Sequence, residues 1–421
     1  MKTSMHVFLY GINGVYNYGC EATVRSIACQ FKKKYPNCTV VYKSFNFESD
    51  KIALADCQDV VVSPIKRKTF SAFRKSLIGR GIAFLRRKLG IAKPDEYLNI
   101  DTEWLKECDV LVIIGGDIFN LMSTQEHQNA KYNNDRIWVS KVAKANDAKV
   151  LLWGISAGPF ESNPKAKRIV IDYFINDVDL LIVREEKTRD YLMKNGVTKI
   201  VLRADPAFFM KTKSECNYSP NNIRSVGINL SPLANRYLGI DHSYEEWVEV
   251  WTERIEQILN FSGFRKAILL PHVVKNDDLI DDDLSYLQKI QRELTKDGYD
   301  SEIVSSNPGF MGIKTNIEQC DIVFSARMHG AVNAVTCAVP TVFLVYSSKA
   351  VGMCKFVYGK TDMVLDMKEL AISGVQEDWI ISLIGLLPQV KQFIELRSVE
   401  LSNDAGQAIE DIQKKVFMED K

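Results

Sequence analysis

Short, unbroken apolar runs recur along this chain, separated by amphipathic stretches of helical length. In the first half they are Val7–Tyr10, Thr39–Phe45, Val60–Ser63, Val110–Ile114, Val150–Ile155, Leu180–Val183 and Ile200–Leu202. A strand that is apolar at every position, rather than at every second one, is covered on both faces. That condition is met in a parallel sheet between two helix layers. The stretches Glu21–Lys33, Asp135–Ala145, Lys165–Asn176 and Glu185–Lys194 supply the intervening helices. Strand alternating with helix predicts an open α/β sheet.

The alternation breaks once. Lys211–Arg224 is polar, contains Ser219-Pro-Asn-Asn222 and has no apolar period. The pattern then restarts, with strands expected at Ser225–Leu230, Ala267–Leu270, Glu302–Ser305, Ile322–Ser325 and Thr341–Tyr346. Helices are expected at Tyr244–Phe261, Asp283–Lys296, Gly309–Gln319 and His329–Ala338, and from Glu377 onward. The predicted organisation is an N-terminal α/β domain over residues 1–210, a linker over 211–224, a C-terminal α/β domain over 225–390 and a helical tail over 391–421. Both sheets are expected to be mainly parallel, with a cleft between the carboxyl ends of their strands. Ligands of doubly wound sheets bind there, so residues where a strand stops carry the functional argument.

Composition removes several classes. Fifty-four basic residues stand against 53 acidic ones, which argues against a dedicated nucleic-acid binder. The nine cysteines form no Cys-x-x-Cys pair and no histidine clusters with them. Neither a disulfide framework nor a metal site is expected, and a reducing compartment suits them. The apolar run at the N-terminus is too short for a signal-peptide core. No run reaches the ~20 apolar residues of a bilayer span. The expected location is cytoplasmic.

Five strand ends carry candidate chemistry. Gly11-Ile-Asn-Gly14-Val-Tyr-Asn17-Tyr-Gly19-Cys20-Glu21 follows the first strand and opens the first helix. It reads either as a loop that brings backbone amides to an anion or as a tight turn. Gly115-Gly116-Asp117-Ile-Phe-Asn120 and Gly154-Ile-Ser156-Ala-Gly158-Pro159 follow two later strands. They suit a polar ligand such as a sugar hydroxyl, or simple turns with a capping Asp. Arg184 ends another strand, either facing a ligand or paired with a neighbouring carboxylate. The sharpest segment is Asp321-Ile-Val-Phe-Ser325-Ala-Arg327-Met328-His329-Gly330. Arg327 and His329 lie two apart, so an extended turn puts them on one side. Arginine offers a planar fork to phosphate or carboxylate, and histidine holds or passes a proton near neutral pH. His272 and Lys349 end two more strands.

Between Lys66 and Lys88 stand nine basic residues and no acidic one, interleaved with Phe70, Phe73, Leu77, Ile78, Ile82, Phe84 and Leu85. This pattern suits an anionic membrane surface, which is the favoured reading, or else a solvated helix face or a partner-binding surface.

Taken in order, these motifs resemble the polysaccharide pyruvyl transferase family over most of the chain. The resemblance rests on Asn17-Tyr-Gly19-Cys20-Glu21-Ala22, Gly115-Gly116-Asp117, Ser156-Ala-Gly158-Pro159, Val183-Arg184-Glu185, and Ser325-Ala-Arg327-Met328-His329-Gly330 followed by Pro340 and Lys349. Ser-x-Arg-x-His-Gly is the most specific element. Where the family commonly reads Gly-Asp-Glu, this chain reads Gly19-Cys20-Glu21. The resemblance implies two Rossmann-like domains of glycosyltransferase B type, acceptor side first and donor side second. It implies transfer of the pyruvyl unit of phosphoenolpyruvate to a hydroxyl pair of a lipid-linked or polysaccharide-precursor glycan, forming a ketal in cell-surface polysaccharide synthesis. On that reading no cofactor or metal is needed, and phosphoenolpyruvate and the glycan are the partners. Residues 66–88 would touch the inner face of the membrane, and no nucleic acid takes part. Arg184, Arg327 and His329 carry the chemistry. Lys349, Ser325, Met328, Gly330, His272, Gly14, Asn17, Gly19, Glu21, Asp117, Asn120 and Ser156 contact substrate. A nucleotide-sugar glycosyltransferase on the same fold, or a non-catalytic protein of a polysaccharide locus, is the alternative.

Overall fold

A computed structural model describes residues 4–68, 82, 85, 86, 93–211, 224–275, 278, 280–304 and 306–418. The chain divides into two compact units. The first comprises Met1–Gly14, Thr23–Asp205 and Gly406–Lys421, and the second Val15–Ala22 and Pro206–Ala405.

The first unit holds seven strands: β1 (His6–Tyr10), β2 (Thr39–Ser44), β3 (Val61–Pro64), β4 (Val110–Ile114), β5 (Lys149–Ile155), β6 (Leu180–Val183) and β7 (Ile200–Leu202). Their order is β3-β2-β1-β4-β5-β6-β7, and every pairing is parallel. All five residues of β4 are buried, as two-sided coverage requires. The second unit holds β8 (Ser225–Asn229), β9 (Lys266–Leu269), β10 (Asp300–Ile303), β11 (Ile322–Ser325), β12 (Thr341–Val345) and β13 (Val364–Asp366). Their order is β10-β9-β8-β11-β12-β13, again all parallel. Strand order therefore reverses between β1 and β4 in one sheet and between β8 and β11 in the other. These are the switch points at which such sheets open a crevice.

The helices used below are α1 (Tyr18–Lys34), α2 (Asp135–Lys144), α3 (Pro164–Asn176), α4 (Glu186–Lys194), α5 (Tyr244–Ser262), α6 (Asp283–Lys296), α7 (Met328–Thr336), α8 (Ser348–Tyr358) and α9 (Glu377–Ile412). Their starts have local causes. Asn134 caps α2 through Arg136 N, Asn163 caps α3 through Ala166 N, and Ser243 and Glu246 form a reciprocal box at α5.

The units depart from the expected boundaries in three ways. The loop and first turn of α1, Val15–Ala22, pack with the second unit, although the rest of α1 belongs to the first. Position 390 is not a break, because α9 runs through it with one buried stripe of Ile380, Leu383, Leu387, Ile394, Leu401 and Ala405. The chain end, Gly406–Lys421, returns to the first unit, where Asp411 pairs with Arg203 at 2.6 Å and Glu410 with Lys34 at 2.8 Å. The expected helix Gly309–Gln319 is two short turns, Gly309–Gly312 and Lys314–Ile317. Strand β13 and helix α8 had no counterpart in the sequence reading.

Most of the expected linker, residues 212–223, lies outside the described residues, as does most of the basic segment at 66–88. Of that segment, Arg86 pairs with Glu96 at 2.9 Å and Lys68 with Asp95 at 2.7 Å. The stretch Glu377–Phe417 is long and apolar enough to cross a membrane by length and composition, a test that core helices also pass.

Candidate functional site

In the second unit the switch point is tied together by one side chain. Asn229 ends β8 and is fully buried. Its Nδ2 donates to Leu270 O at 2.8 Å, after β9. Its Oδ1 accepts from Ser325 Oγ at 3.0 Å and from Arg327 N at 2.9 Å, after β11. Three strand ends thus converge on one amide. Ser325 Oγ also reaches Arg327 O at 2.8 Å, which fixes the turn into α7.

Arg327 is the N-cap of α7, and His329 lies in its first turn. The helix expected from His329 thus starts one residue earlier, at Met328, and Arg327 keeps the extended backbone of an N-cap. The Arg327 guanidinium is spoken for. Its Nε and Nη2 donate to Asp283 Oδ1 at 3.1 and 2.8 Å, and Nη2 donates to Asp281 Oδ1 at 2.6 Å. Burial works against its charge, but Asp283 and then Asp281 outweigh that and hold it protonated even more firmly than usual. Arg327 thus arrives with two carboxylates of its own, rather than as an open fork. Its side chain makes no capping hydrogen bond to α7, whose first turn lies at the sheet's switch point.

The N-terminal glycine loop meets this turn. A Cβ on Gly19 would fall 2.2 Å from His329 Nδ1, so only glycine lets the loop lie on that imidazole. Asn17 Oδ1 accepts from Gly19 N at 2.9 Å and shapes the approach. Glu21 is buried, and its Oε2 accepts from Phe310 N at 2.8 Å, locking α1 to the turn that starts at Gly309. Gly330 is needed for packing, because a Cβ there would lie 2.4 Å from Ser325 Oγ. Met328, first residue of α7, is half-buried.

His272, expected as a ligand contact, is enclosed within the second unit. It is 2% exposed, with Nδ1 on Leu270 O at 3.1 Å and Nε2 beside Asn333 Nδ2 at 3.3 Å. Burial pushes its pKa down to about 3, against the raising effect of its bond to Leu270 O. The ring is neutral at working pH, donates through Nδ1 and accepts through Nε2, and so serves packing. Lys349 stands inside α8 rather than at the strand end, and its side chain lies outside what is described.

The first unit gathers a second set. Arg184 is 3% exposed, with Nη1 on Asp205 Oδ2 at 2.7 Å and Nε on Ser156 Oγ at 3.0 Å. Asp117 Oδ1 lies 3.7 Å from Nη2 and is more than half exposed. Ser156 Oγ in turn donates to Glu185 Oε1. A Cβ on Gly116 would lie 2.2 Å from Arg184 Nη2, which accounts for the second glycine of that pair. Of the two readings left open, the paired arginine is the one observed. Asn120 is half-buried nearby in sequence, and Gly14 belongs to the first unit while Asn17, Gly19 and Glu21 pack in the second.

Sequence reasoning missed Asn229, Asp281, Asp283 and Asn333, and with them Asp205. The run Asp281-Asp-Asp283 before a helix was a visible signal, but nothing in sequence pairs it with an arginine 44 positions later. Among the described residues no three His, Cys, Asp or Glu side chains are gathered to hold a metal ion.

The polysaccharide pyruvyl transferase family model matches residues 17–348, which is most of the chain. The chain belongs to that family. A transferase acting on polysaccharide is what membership indicates. Among solved structures, a glycosyltransferase from Rickettsia africae ESF-5 is 11% identical with a TM-score of 0.52, covering 99% of this chain and 98% of that one. The UDP-GlcNAc 2-epimerase from Neisseria meningitidis bound to UDP-GlcNAc is also 11% identical, with a TM-score of 0.52 and 99% coverage of both. A UGT transferase from Siraitia grosvenorii in complex with UDP is 9% identical, with a TM-score of 0.53 and coverage of 98% and 100%. At such identities the likeness is one of fold, that of the glycosyltransferase B class. A search among curated protein sequences finds no significant match.

Proposed function

We propose that this transferase moves the pyruvyl unit of phosphoenolpyruvate onto two hydroxyls of a glycan, forming a ketal and releasing phosphate. Beside family membership, one observation carries the reading. The first turn of α7, which the side chain of its N-cap residue Arg327 does not cap, lies at the second sheet's switch point with His329 upon it. Helix amides at such a point favour a phosphate or carboxylate, and a histidine beside them supplies proton chemistry or a further phosphate contact.

The step balances without an oxidant. A proton is added to the methylene carbon of phosphoenolpyruvate, leaving oxocarbenium character at C2. One sugar hydroxyl bonds to C2 and loses its proton, the C2–O bond to phosphate breaks, and the second hydroxyl closes the ring as it loses its own proton. One of the two protons ends in the new methyl group and the other on phosphate. Arg327, held by Asp283 and Asp281, positions the turn that carries His329. The acceptor is a lipid-linked or polymer-precursor glycan at the cytoplasmic face of the membrane, with residues 66–88 as the membrane contact.

Thermal shift with phosphoenolpyruvate, set against nucleotide sugars, tests the donor. A ligand that binds only the folded state raises the Tm by mass action. Stabilisation by phosphoenolpyruvate at millimolar concentration and none by UDP-sugars is expected. The reverse result would establish the glycosyltransferase reading in its place. Gly19→Ala is expected to lower turnover at least tenfold, because its methyl group displaces His329. His329→Ala is expected to lower kcat if the ring handles the proton, and to raise KM for phosphoenolpyruvate if it binds phosphate.

A further inference from the structure

One face of the first sheet carries a cation that no carboxylate among the described residues pairs with. Lys43 is on β2 and only 6% exposed. Its Nζ donates to Ser63 Oγ at 2.9 Å and lies 5.3 Å above the Trp104 ring. No ion pair to it occurs among the described residues. Asp101 acts on it only from a distance, and Lys66 opposes it, while burial lowers its pKa from the ordinary lysine value. A lysine buried in this way is costly unless an anion compensates it.

Its surroundings are built for a ring. Strand register sets Lys43 beside Ser63 on β3, and Tyr42 beside Leu9 on β1, so Tyr10 is the neighbour of Lys43 on the other side. Phe45, which is 44% exposed just past the end of β2, lies 5.8 Å from the Tyr10 ring. Trp104 lies 6.1 Å from Tyr10 and is itself half-buried. Tyr10 OH donates to Asp135 Oδ2 at 2.5 Å, and the other oxygen of that carboxylate holds Arg136 Nη1 at 3.0 Å. Aromatic faces, a cation, a hydroxyl and a half-exposed carboxylate thus stand together at the carboxyl ends of three neighbouring strands. Aromatic rings take the apolar face of a pyranose, and Lys43 takes a charge borne by it.

We propose that this face binds an anionic sugar unit, with the ring against Phe45 and its carboxylate or phosphate directed to Lys43. The inference rests on the reading that the acceptor is a glycan, and it deepens that reading by making the acceptor acidic. None of these residues was singled out as a site by sequence, and none belongs to the Arg184 or Arg327 sets.

Isothermal titration of the full-length protein with glucuronate, glucose 1-phosphate and glucose separates the cases. The two charged sugars are expected to bind at least tenfold more tightly than glucose, and the stronger of the two identifies carboxylate or phosphate as the group recognised. Lys43→Met keeps an unbranched side chain, one atom shorter and without the charge, and is expected to abolish that preference. Phe45→Ala, at an exposed position, is expected to weaken all three sugars alike, and keeps the test open should Lys43→Met not fold. Equal binding of charged and neutral sugars, or charged binding unchanged in Lys43→Met, overturns the proposal. The stabilisation by phosphoenolpyruvate is measured on the same variants. If it is absent in the wild type while the sugar results hold, the donor reading fails and this one stands.

Discussion

At the scale of single residues, the histidines of the second unit divide by environment. His329 sits on the first turn of α7 with Gly19 against it, whereas His272 is sealed beneath with both ring nitrogens engaged. The pKa of His272 is driven down to about 3 by burial, against about 6.5 for an unfolded chain. Between these values the unfolded chain binds the extra proton, so stability is full above about pH 6.5 and falls as pH drops toward 3. The slope from this group alone reaches about 1.4 kcal/mol per pH unit within that window. Urea unfolding of wild type and His272→Gln from pH 4 to pH 7 is expected to show a shallower loss in the variant. Equal slopes would mean that the ring is not held neutral.

Among elements, α6 and α7 are joined by charge rather than by apolar packing alone. The Asp283 side chain is fully buried at the start of α6 and also accepts from the amides of His272 and Val273 at 3.1 and 3.0 Å. Its partner Arg327 is the N-cap of α7. Removing one member of a buried pair leaves the other uncompensated, which costs about 3–5 kcal/mol. Asp283→Ala is expected near the lower end, because Asp281 remains on Arg327. Denaturant unfolding checks this, and a loss below about 1 kcal/mol would show the pair to be marginal. The same elements show what a sequence reader can and cannot see. The strand of Ile322–Ser325 was legible because apolar runs announce themselves. The helix expected from His329 was legible as well, and it starts one residue earlier, at Met328. The arginine's partners were hidden, since they lie on another strand-to-helix connection.

For the whole molecule, α9, like α1, is divided between the two units. Its buried stripe packs in the second unit to Ala405, and Ile409, Ile412 and Val416 are buried in the first. Each such side chain contributes about 1.5–3 kcal/mol by burial, and the pairs of Glu410 and Asp411 add specificity. Deleting residues 406–421 is therefore expected to destabilise the first unit by roughly 5 kcal/mol. Hydrogen exchange reads this directly, with amides of β5–β7 losing protection while those of β8–β13 keep theirs. Uniform loss in both units would instead mean one cooperative structure.

Local sequence sufficed for everything that depends on neighbours along the chain. Runs of apolar residues specified two parallel sheets, Gly and Asn marked where strands turn into helices, and the order of five motifs identified the family. Only the tertiary structure decided what depends on distance in space. It gave Arg327 and Arg184 their carboxylates, sealed His272, set Gly19 on His329 and put Lys43 on Ser63 with no ion pair among the described residues. The physical reason is the same in each case. A charge in sequence has no fixed cost until burial removes its water, and which groups then face it is settled by strands that the chain brings together from tens or hundreds of residues apart.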